Sequence, residues 1–382
     1  MCGNIAIFAR RKFLIDGSPH MKLGFLLILL LPLGAQAYVT WHIYQLVPGS
    51  VAVKALCAVL ATLAFACFFS IFHAGGERLP LPVMSALYEV GNSWLIALLY
   101  LTLGFLLLDI GRLCHVVPRS FMVSSWPGTL TVLVGIVALL AWGNYTYRNK
   151  VRQPLELHNP SKTLQHPVKA VIMSDLHLGY HNRRSEFARW VDLVNAEHPD
   201  VVLIAGDIID ISVHPLLVED VAAEFRRIEA PIYACLGNHE YFSGEPRARA
   251  FYESAGINLL RDTTAVVGDL CLIGRDDRSN PGRRSLTQIM QHADTTRYCI
   301  LLDHQPHRLQ EAEQCGIDFQ FSGHTHHGQV WPGNLITEAM YEIAFGPGQR
   351  GNTHYYVSSG IGIWGGKFRI GTRSEYVVAT IR

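Results

Sequence analysis

The sequence predicts an α/β chain in two parts: a four-helix transmembrane region over 1–147 and, after a linker over 148–167, a layered α/β domain over 168–382. Three observations predict it. Asp, Glu, Lys and Arg are absent from Leu23 to Val53, from Ala55 to Gly76, from Val90 to Leu108 and from Ser120 to Tyr147. Beyond Arg148 charges become dense and apolar runs shorten to strand length. From Val168 onward those short runs alternate with helical patterns, the rhythm of a layered α/β domain.

A spanning helix needs about 20 consecutive apolar residues. Four segments meet that length, 23–47, 51–72, 93–117 and 129–147. Pro48-Gly49 separates the first two as a tight hairpin. Asp109 and Arg112 sit in the last turns of the third, either as a pair or at the interface where the helix ends. Trp94, Trp126, Trp142, Tyr145 and Tyr147 lie near segment ends, the positions of an interfacial aromatic belt. Arg10, Arg11, Lys12, Lys22, Arg78, Arg148, Lys150 and Arg152 flank one side, against Lys54, Arg112 and Arg119 on the other. Positive charge stays inside, so the bias expects a multi-pass inner-membrane protein with both ends, and the domain after the fourth helix, in the cytoplasm. Arg10-Arg11-Lys12 and Ala35-Gln36-Ala37 also fit a twin-arginine leader, and Met21 fits an alternative start.

In the second part, Val168–Ser174 reads as a strand, Arg184–Glu197 as a helix and Asp200–Ala205 as a strand. Leu216–Ile228 reads as a helix, Pro231–Leu236 as a strand and Pro246–Ala255 as a helix. Val266–Gly268 and Leu270–Gly274 form a hairpin. Tyr298–Leu302, Phe319–Ser322, Tyr355–Ser358 and Tyr376–Ile381 add strands. Met340–Tyr355, rich in Gly and Pro, reads as a loop near the histidine cluster that recognises the non-phosphate part of a substrate.

The formal net charge of +1 gives no argument for nucleic acid as a partner. Eight scattered cysteines contain no C-x-x-C pair. They read as small buried hydrophobes in a reducing compartment.

The chemistry lies in five groups. They are Asp175-Leu176-His177, Gly206-Asp207-Ile208-Ile209-Asp210, Gly237-Asn238-His239-Glu240, His304, and Gly323-His324-Thr325-His326-His327-Gly328. Each follows a predicted strand, and the carboxyl ends of strands are where open α/β sheets gather ligands. Each carries the oxygen and nitrogen donors that hard and borderline cations prefer. Asp175 and His177 alternate around Leu176, which on an extended chain aims both to one side. On the same reasoning His327 points away from His326. His181, Arg183 and Arg184 read as phosphate contacts or as a solvated loop, and Arg275-Asp276-Asp277-Arg278 as salt-bridged loop residues.

In order the groups spell D-x-H, GD-x-x-D, GNH-[DE], H and GH-x-H. With them, the segment from about Lys169 to Arg382 resembles the calcineurin-like metallophosphoesterase family, in its multi-span branch with a C-terminal catalytic domain. The resemblance implies a β-sandwich flanked by α-helices and a centre of two divalent metal ions, drawn from Mn, Fe, Zn or Mg. It assigns Asp175, His177, Asp207 and His326 to one ion and Asp207, Asn238, His304 and His324 to the other, with Asp207 bridging. His239 is the catalytic group beside them, binding the substrate phosphate or protonating the leaving oxygen, while Asp210 and Glu240 orient their neighbours.

Two cations roughly 3.5–4 Å apart neutralise phosphate charge and clamp the attacking and leaving oxygens. The expected activity is hydrolysis of a phosphodiester, phosphomonoester or pyrophosphate by a metal-bridging hydroxide. The partners are a phosphorylated substrate, with lipid-linked molecules among the candidates, and the lipid bilayer. Two other classes compete: a non-catalytic metal-binding scaffold, and a membrane sensor or transporter with an accessory hydrolase domain. The complete ligand set argues against the first, and the few ionisable groups among the apolar runs argue against the second.

Overall fold

A computed structural model of the chain describes residues 19–72, 77, 79–162 and 164–382, apart from the side chains of 19–29, 71 and 72. The twin-arginine stretch and Arg78 lie outside the described residues. Two compact units result. One runs to Tyr145 and takes in Gly365–Phe368; the other holds Thr146–Trp364 and Arg369–Arg382.

The first unit is helical: α1 (Pro19–Leu46), α2 (Val51–Phe68) with a 3-10 turn at Phe69–Phe72, α3 (Leu81–Leu113), α4 (Arg119–Met122) and α5 (Trp126–Arg148). Ser50 caps α2, its Oγ accepting from the Val53 amide at 3.4 Å, and Gly49 makes the preceding turn at φ 123°. Three helices, α2, α3 and α5, are long and apolar enough to cross a membrane. The expectation of four is therefore corrected to three among the described residues. The first expected segment, 23–47, falls within α1, where the side chains of 19–29 are not described. The third span also starts earlier than expected, because Pro80 and Leu81-Pro82 open α3 at the position where a proline is tolerated.

Large apolar side chains such as Leu63, Leu107 and Val134 stay exposed on these helices, the surface a lipid solvent covers. Asp109 does not pair with Arg112 as one reading expected. The Tyr38 hydroxyl donates to it at 2.7 Å, and His42 Nε2 lies at 3.1 Å.

The second unit has two six-stranded sheets. Their strands are β1 (Val151–Leu157), β2 (Val168–Met173), β3 (Val201–Ala205), β4 (Ile232–Cys235), β5 (Asn258–Leu259), β6 (Thr263–Val267), β7 (Leu270–Gly274), β8 (Tyr298–Leu302), β9 (Phe319–Ser322), β10 (Gly346–Arg350), β11 (Thr353–Val357) and β12 (Glu375–Ile381). The first sheet runs β1-β12-β2-β3-β4-β5 and the second β10-β11-β9-β8-β7-β6. β2, β3 and β4 are mutually parallel, as are β7, β8 and β9. Their carboxyl ends therefore share an edge within each sheet.

Alternation along the strands decides which core each side chain joins. Ala170 and Ile172 of β2 enter a buried cluster with Leu272, Ile300, Phe319 and Phe321 of the second sheet. Val171 and Met173 face the other way and pack with Phe187, Trp190, Val191 and Val194, the apolar stripe of α6 (Arg184–Ala196). Each fully buried side chain of this size contributes roughly 1.5–3 kcal/mol.

Several sequence expectations change. The stretch read as linker carries β1, which pairs in parallel with β12. The expected helix 216–228 is two short helices, His214–Val218 and Ala222–Phe225, because Asp220 between them sits at φ 48°. The Gly- and Pro-rich segment Met340–Tyr355 is not all loop: it contains strand β10 and the start of β11, which pair antiparallel. Tyr147 does not belong to an aromatic belt. It is fully enclosed, its hydroxyl 2.7 Å from Glu186 Oε1 and from Asn182 Oδ1. All seven described cysteines are unpaired thiols.

Candidate metal centre

Every expected ligand leaves the carboxyl end of a strand: Asp175 and His177 after β2, Asp207 after β3, Asn238 after β4, His304 after β8, and His324 and His326 after β9. The route differs from the one the sequence predicts. Asp175 (φ 55°) and His177 (φ 46°) are left-handed, not extended, and so are Asp207, His324, His326 and His327. His326 and His327 fall in a 3-10 turn, where His327 reaches Glu338 at 2.9 Å. A left-handed non-glycine residue costs of order 1–3 kcal/mol and concentrates at functional sites.

The donors converge. His177 Nε2 and His326 Nε2 face each other at 3.1 Å. Asp175 Oδ1 lies 3.3 Å from His326 Nε2 and 3.8 Å from His177 Nε2. Beside this group, His304 Nε2 sits 3.0 Å from Asp207 Oδ2, without the angle of a hydrogen bond. Asp207 Oδ2 is also 3.8 Å from His177 Nε2, so its carboxylate stands between the two clusters. Within Asp175–His177–His326, and likewise within Asp207–His304–His324, the donor atoms lie within 4.8 Å of one another. Asn238 brings its side-chain oxygen to the second cluster's end of the sheet, buried and with no hydrogen-bond donor.

Backbone and neighbours hold these groups in place. Ser174 Oγ donates to Asp175 Oδ2 at 2.6 Å, and the His324 amide donates to Asp175 Oδ1 at 3.1 Å. The His239 amide donates to Asp207 Oδ1 at 2.8 Å. Glu240 accepts from the amides of Asp207, Ile209 and Gly237. It therefore anchors two ligand loops by their backbone. His304 Nδ1 lies 2.8 Å from the Ala205 carbonyl, which fixes Nε2 as the nitrogen aimed at Asp207. Two glycines are required by close approach. A Cβ on Gly237 would come 2.2 Å from Asp207 Oδ1, and one on Gly323 would come 2.2 Å from Asp175 Oδ2.

Burial alone would raise the carboxyl pKa values of Asp175, Asp207 and Asp210, but the surrounding imidazoles outweigh it and hold all three below the usual range. Burial opposes charge on His177 too, yet Asp175 and Asp210 raise it to about 10. Burial, with the charge of His304, pushes His324 down to about 4, and burial holds His326 well below its ordinary value. Neutral imidazole is the form that binds a cation. Buried carboxylates, the neutral imidazoles of His324 and His326, and the unpartnered Asn238 Oδ1 fit divalent cations held by oxygen and nitrogen. A bound cation would take the place of the proton that the carboxylates hold on His177 and His304.

His239 stands next to these groups. Its ring meets His177 edge-on at 4.5 Å, and its Nδ1 lies 3.1 Å from the Asp210 carbonyl and 3.3 Å from Asp210 Oδ1. Asp210 also lies 3.3 Å from His177 Nδ1. His181 is buried against the Ile363 carbonyl, while Arg183 and Arg184 pair with Glu219 and Glu224.

One contributor carries no motif. Arg369 is fully buried and donates to the carbonyls of His326 at 2.7 Å and Gly362 at 3.0 Å, and also to that of Ser359. It fastens the histidine turn to the loop that passes Asp175.

The sequence profile of the calcineurin-like phosphoesterases matches residues 168–328, the stretch that supplies every expected ligand and His239 but not Arg369. An uncharacterized metallophosphoesterase of Aquifex aeolicus is 30% identical over 225 residues, 56% of this chain and 85% of that protein. One of Campylobacter jejuni is 29% identical over 228 residues, covering 57% of this chain and 60% of that one. The "transmembrane protein with metallophosphoesterase domain" of Danio rerio is 32% identical over 54% of this chain and 52% of its own length. The chain thus spans little more than half of some of these relatives. Profile, relatives and the ordered donor set agree, and the chain belongs to the calcineurin-like metallophosphoesterases.

Proposed function

We propose that this chain is a membrane-anchored, metal-dependent hydrolase of phosphate esters. The observation that carries the reading is the convergence of His177, His326, Asp175 and Asp207, from three separate strand ends, on one small volume. Unpaired, such a set of buried charges is costly, and cation binding is what such donors are suited to.

In this reading Asp175, His177, Asp207 and His326 hold one divalent cation, and Asp207, Asn238, His304 and His324 the other. Bound there, the ions supply Lewis-acid neutralisation of the phosphate and acidify water. The chain does the rest. Glu240 and the amide bonds to Asp175 and Asp207 fix the donor positions before substrate arrives. His239, held through Nδ1 by Asp210, keeps Nε2 for the substrate, where it binds a phosphate oxygen or protonates the leaving oxygen. Such a positioned proton donor contributes about 10²–10⁴-fold.

The apolar helices α2, α3 and α5 support anchoring in a membrane, and the positive charges flanking the apolar runs support a cytoplasmic catalytic unit. Substrates at the membrane surface, lipid-linked ones included, follow from that placement. The test is turnover of bis(p-nitrophenyl) phosphate by the full chain in detergent, metal-stripped and then restored with Mn²⁺. Restored turnover in the wild type and none in Asp207→Ala is expected; full activity in Asp207→Ala would overturn the reading.

A further inference from the structure

The loops after β7 and β8 hold a concentration of positive charge that the hydrolytic reading does not use. Arg275, Arg278, Arg283 and Arg284 come from the first loop, His307 and Arg308 from the second, and together they line a cavity of about 340 Å³. Five guanidinium groups face a single lining carboxylate, Glu311. Glu311 and Asp303 behind it pair with Arg275, Arg283 and Arg308. Arg278 and Arg284 are exposed and have no ion pair among the described residues. Arg275 is 5% exposed, and its Nε has no hydrogen-bond partner. His307 is pushed below its ordinary pKa by burial and then by Arg278, Arg283 and Arg308, so three guanidinium groups act on one ring. Like charges crowded this closely are stabilised by an anion, and the guanidinium fork matches phosphate oxygens two at a time.

The cavity adjoins the candidate centre. Tyr341 packs its ring 4.9 Å from His307 and 6.4 Å from His324. Asp277, beside Arg278, accepts from Gln305 Nε2 at 2.8 Å, and Gln305 follows His304 directly. β7, β8 and β9 are parallel neighbours, so the arginine loops and the histidine loops rise from one edge of the sheet.

We propose that this cavity is a second anion subsite, which takes a phosphate of the substrate other than the one hydrolysed. Resting on the hydrolase reading, it names the substrate class: an ester with two phosphate groups joined by a short spacer. A soluble bisphosphate and a phospholipid with a phosphorylated headgroup share that chemistry.

The kinetic arm compares two p-nitrophenyl phosphodiesters with the Mn²⁺-loaded full chain in detergent. The second ester arm is an ω-phosphoalkyl chain in one and the matching ω-hydroxyalkyl chain in the other. Wild type should favour the phosphorylated ester, and Arg278→Ala/Arg284→Ala should cut the ratio of kcat/KM values about tenfold through KM. An unchanged ratio overturns the subsite. If neither ester is turned over, the hydrolase reading fails, and binding judges the subsite by itself. The probe is inorganic pyrophosphate on the Asp207→Asn full chain. Binding that the two arginine substitutions weaken about tenfold supports the subsite; binding they leave unchanged overturns it. Displacement of pyrophosphate by butane-1,4-diyl bisphosphate alone identifies a soluble ligand, and by micelles of phosphatidylinositol 4-phosphate alone a lipid headgroup. Displacement by neither overturns the proposal.

Discussion

His177 and His326, 149 residues apart in sequence, place their Nε2 atoms 3.1 Å from each other. Two ring nitrogens at that distance repel when both are neutral and unprotonated, so they need a shared proton or a shared cation. With Asp175 and Asp207 alongside, a cation satisfies all four donors at once. His326→Ala should therefore lower the bound Mn²⁺ by one equivalent and cut turnover at least about 100-fold, the scale of losing a positioned charge at a reacting centre. Elemental analysis of the purified variant beside a turnover assay checks both. EDTA should abolish wild-type turnover, and Mn²⁺ should restore it.

His239 is held by its own backbone and by Asp210; its ring nitrogen groups with donors of His177 and Asp210 within 4.8 Å, apart from the two donor clusters centred on Asp175 and Asp207. His239→Gln should keep the full metal content while losing about 10²–10⁴-fold in kcat. The loss should be smaller on an aryl ester, whose leaving oxygen needs no proton, than on an alkyl ester. Loss of metal from the variant would make His239 a ligand instead.

Gly323 passes so close to Asp175 that even a methyl group displaces the carboxylate. Gly323→Ala should cost about 1–3 kcal/mol by overpacking and weaken metal binding more than it unfolds the chain. Mn²⁺ titration, compared with protease resistance of the same sample, separates the two effects.

Arg369 satisfies carbonyls on two loops with one guanidinium. Arg369→Met leaves the Ser359 and Gly362 carbonyls buried without donors, at roughly 1–3 kcal/mol each, while the His326 carbonyl keeps the Gln329 amide. Arg369→Lys should rescue only part, because an ammonium lacks the planar fork that reaches several acceptors. Limited proteolysis should show early cleavage near 359–369 in the methionine variant and intermediate behaviour in the lysine variant.

The donor set was legible in the sequence because each pair or triplet is local, and a strand end is a local pattern too. How the donors meet was not. The sequence reading sent Asp175 and His177 to one side of an extended chain, whereas left-handed φ values at both turn them inward, a conformation that Asp and His adopt more readily than most residues but that their identity alone does not fix. β1 was hidden by its composition. Arg152, Pro154 and Glu156 alternate with half-buried Val151, Gln153 and Leu155, which reads as polar linker. An edge strand tolerates both the exposed charges and the proline. Arg369 lies outside every motif, since what it does depends on carbonyls brought near it only by folding.

The position of β12 sets an order of assembly. This strand, the last of the twelve along the chain, lies between β1 and β2, the first two. Until residues 375–381 have left the ribosome, β1 has no neighbour in the sheet and β2 has an open flank. Such long-range pairing forms slowly. During synthesis the loops that carry the clustered Asp and His donors are thus already made while the sheet beneath them is unfinished, and a chaperone or the translation machinery has an unpaired strand edge to shield for that interval.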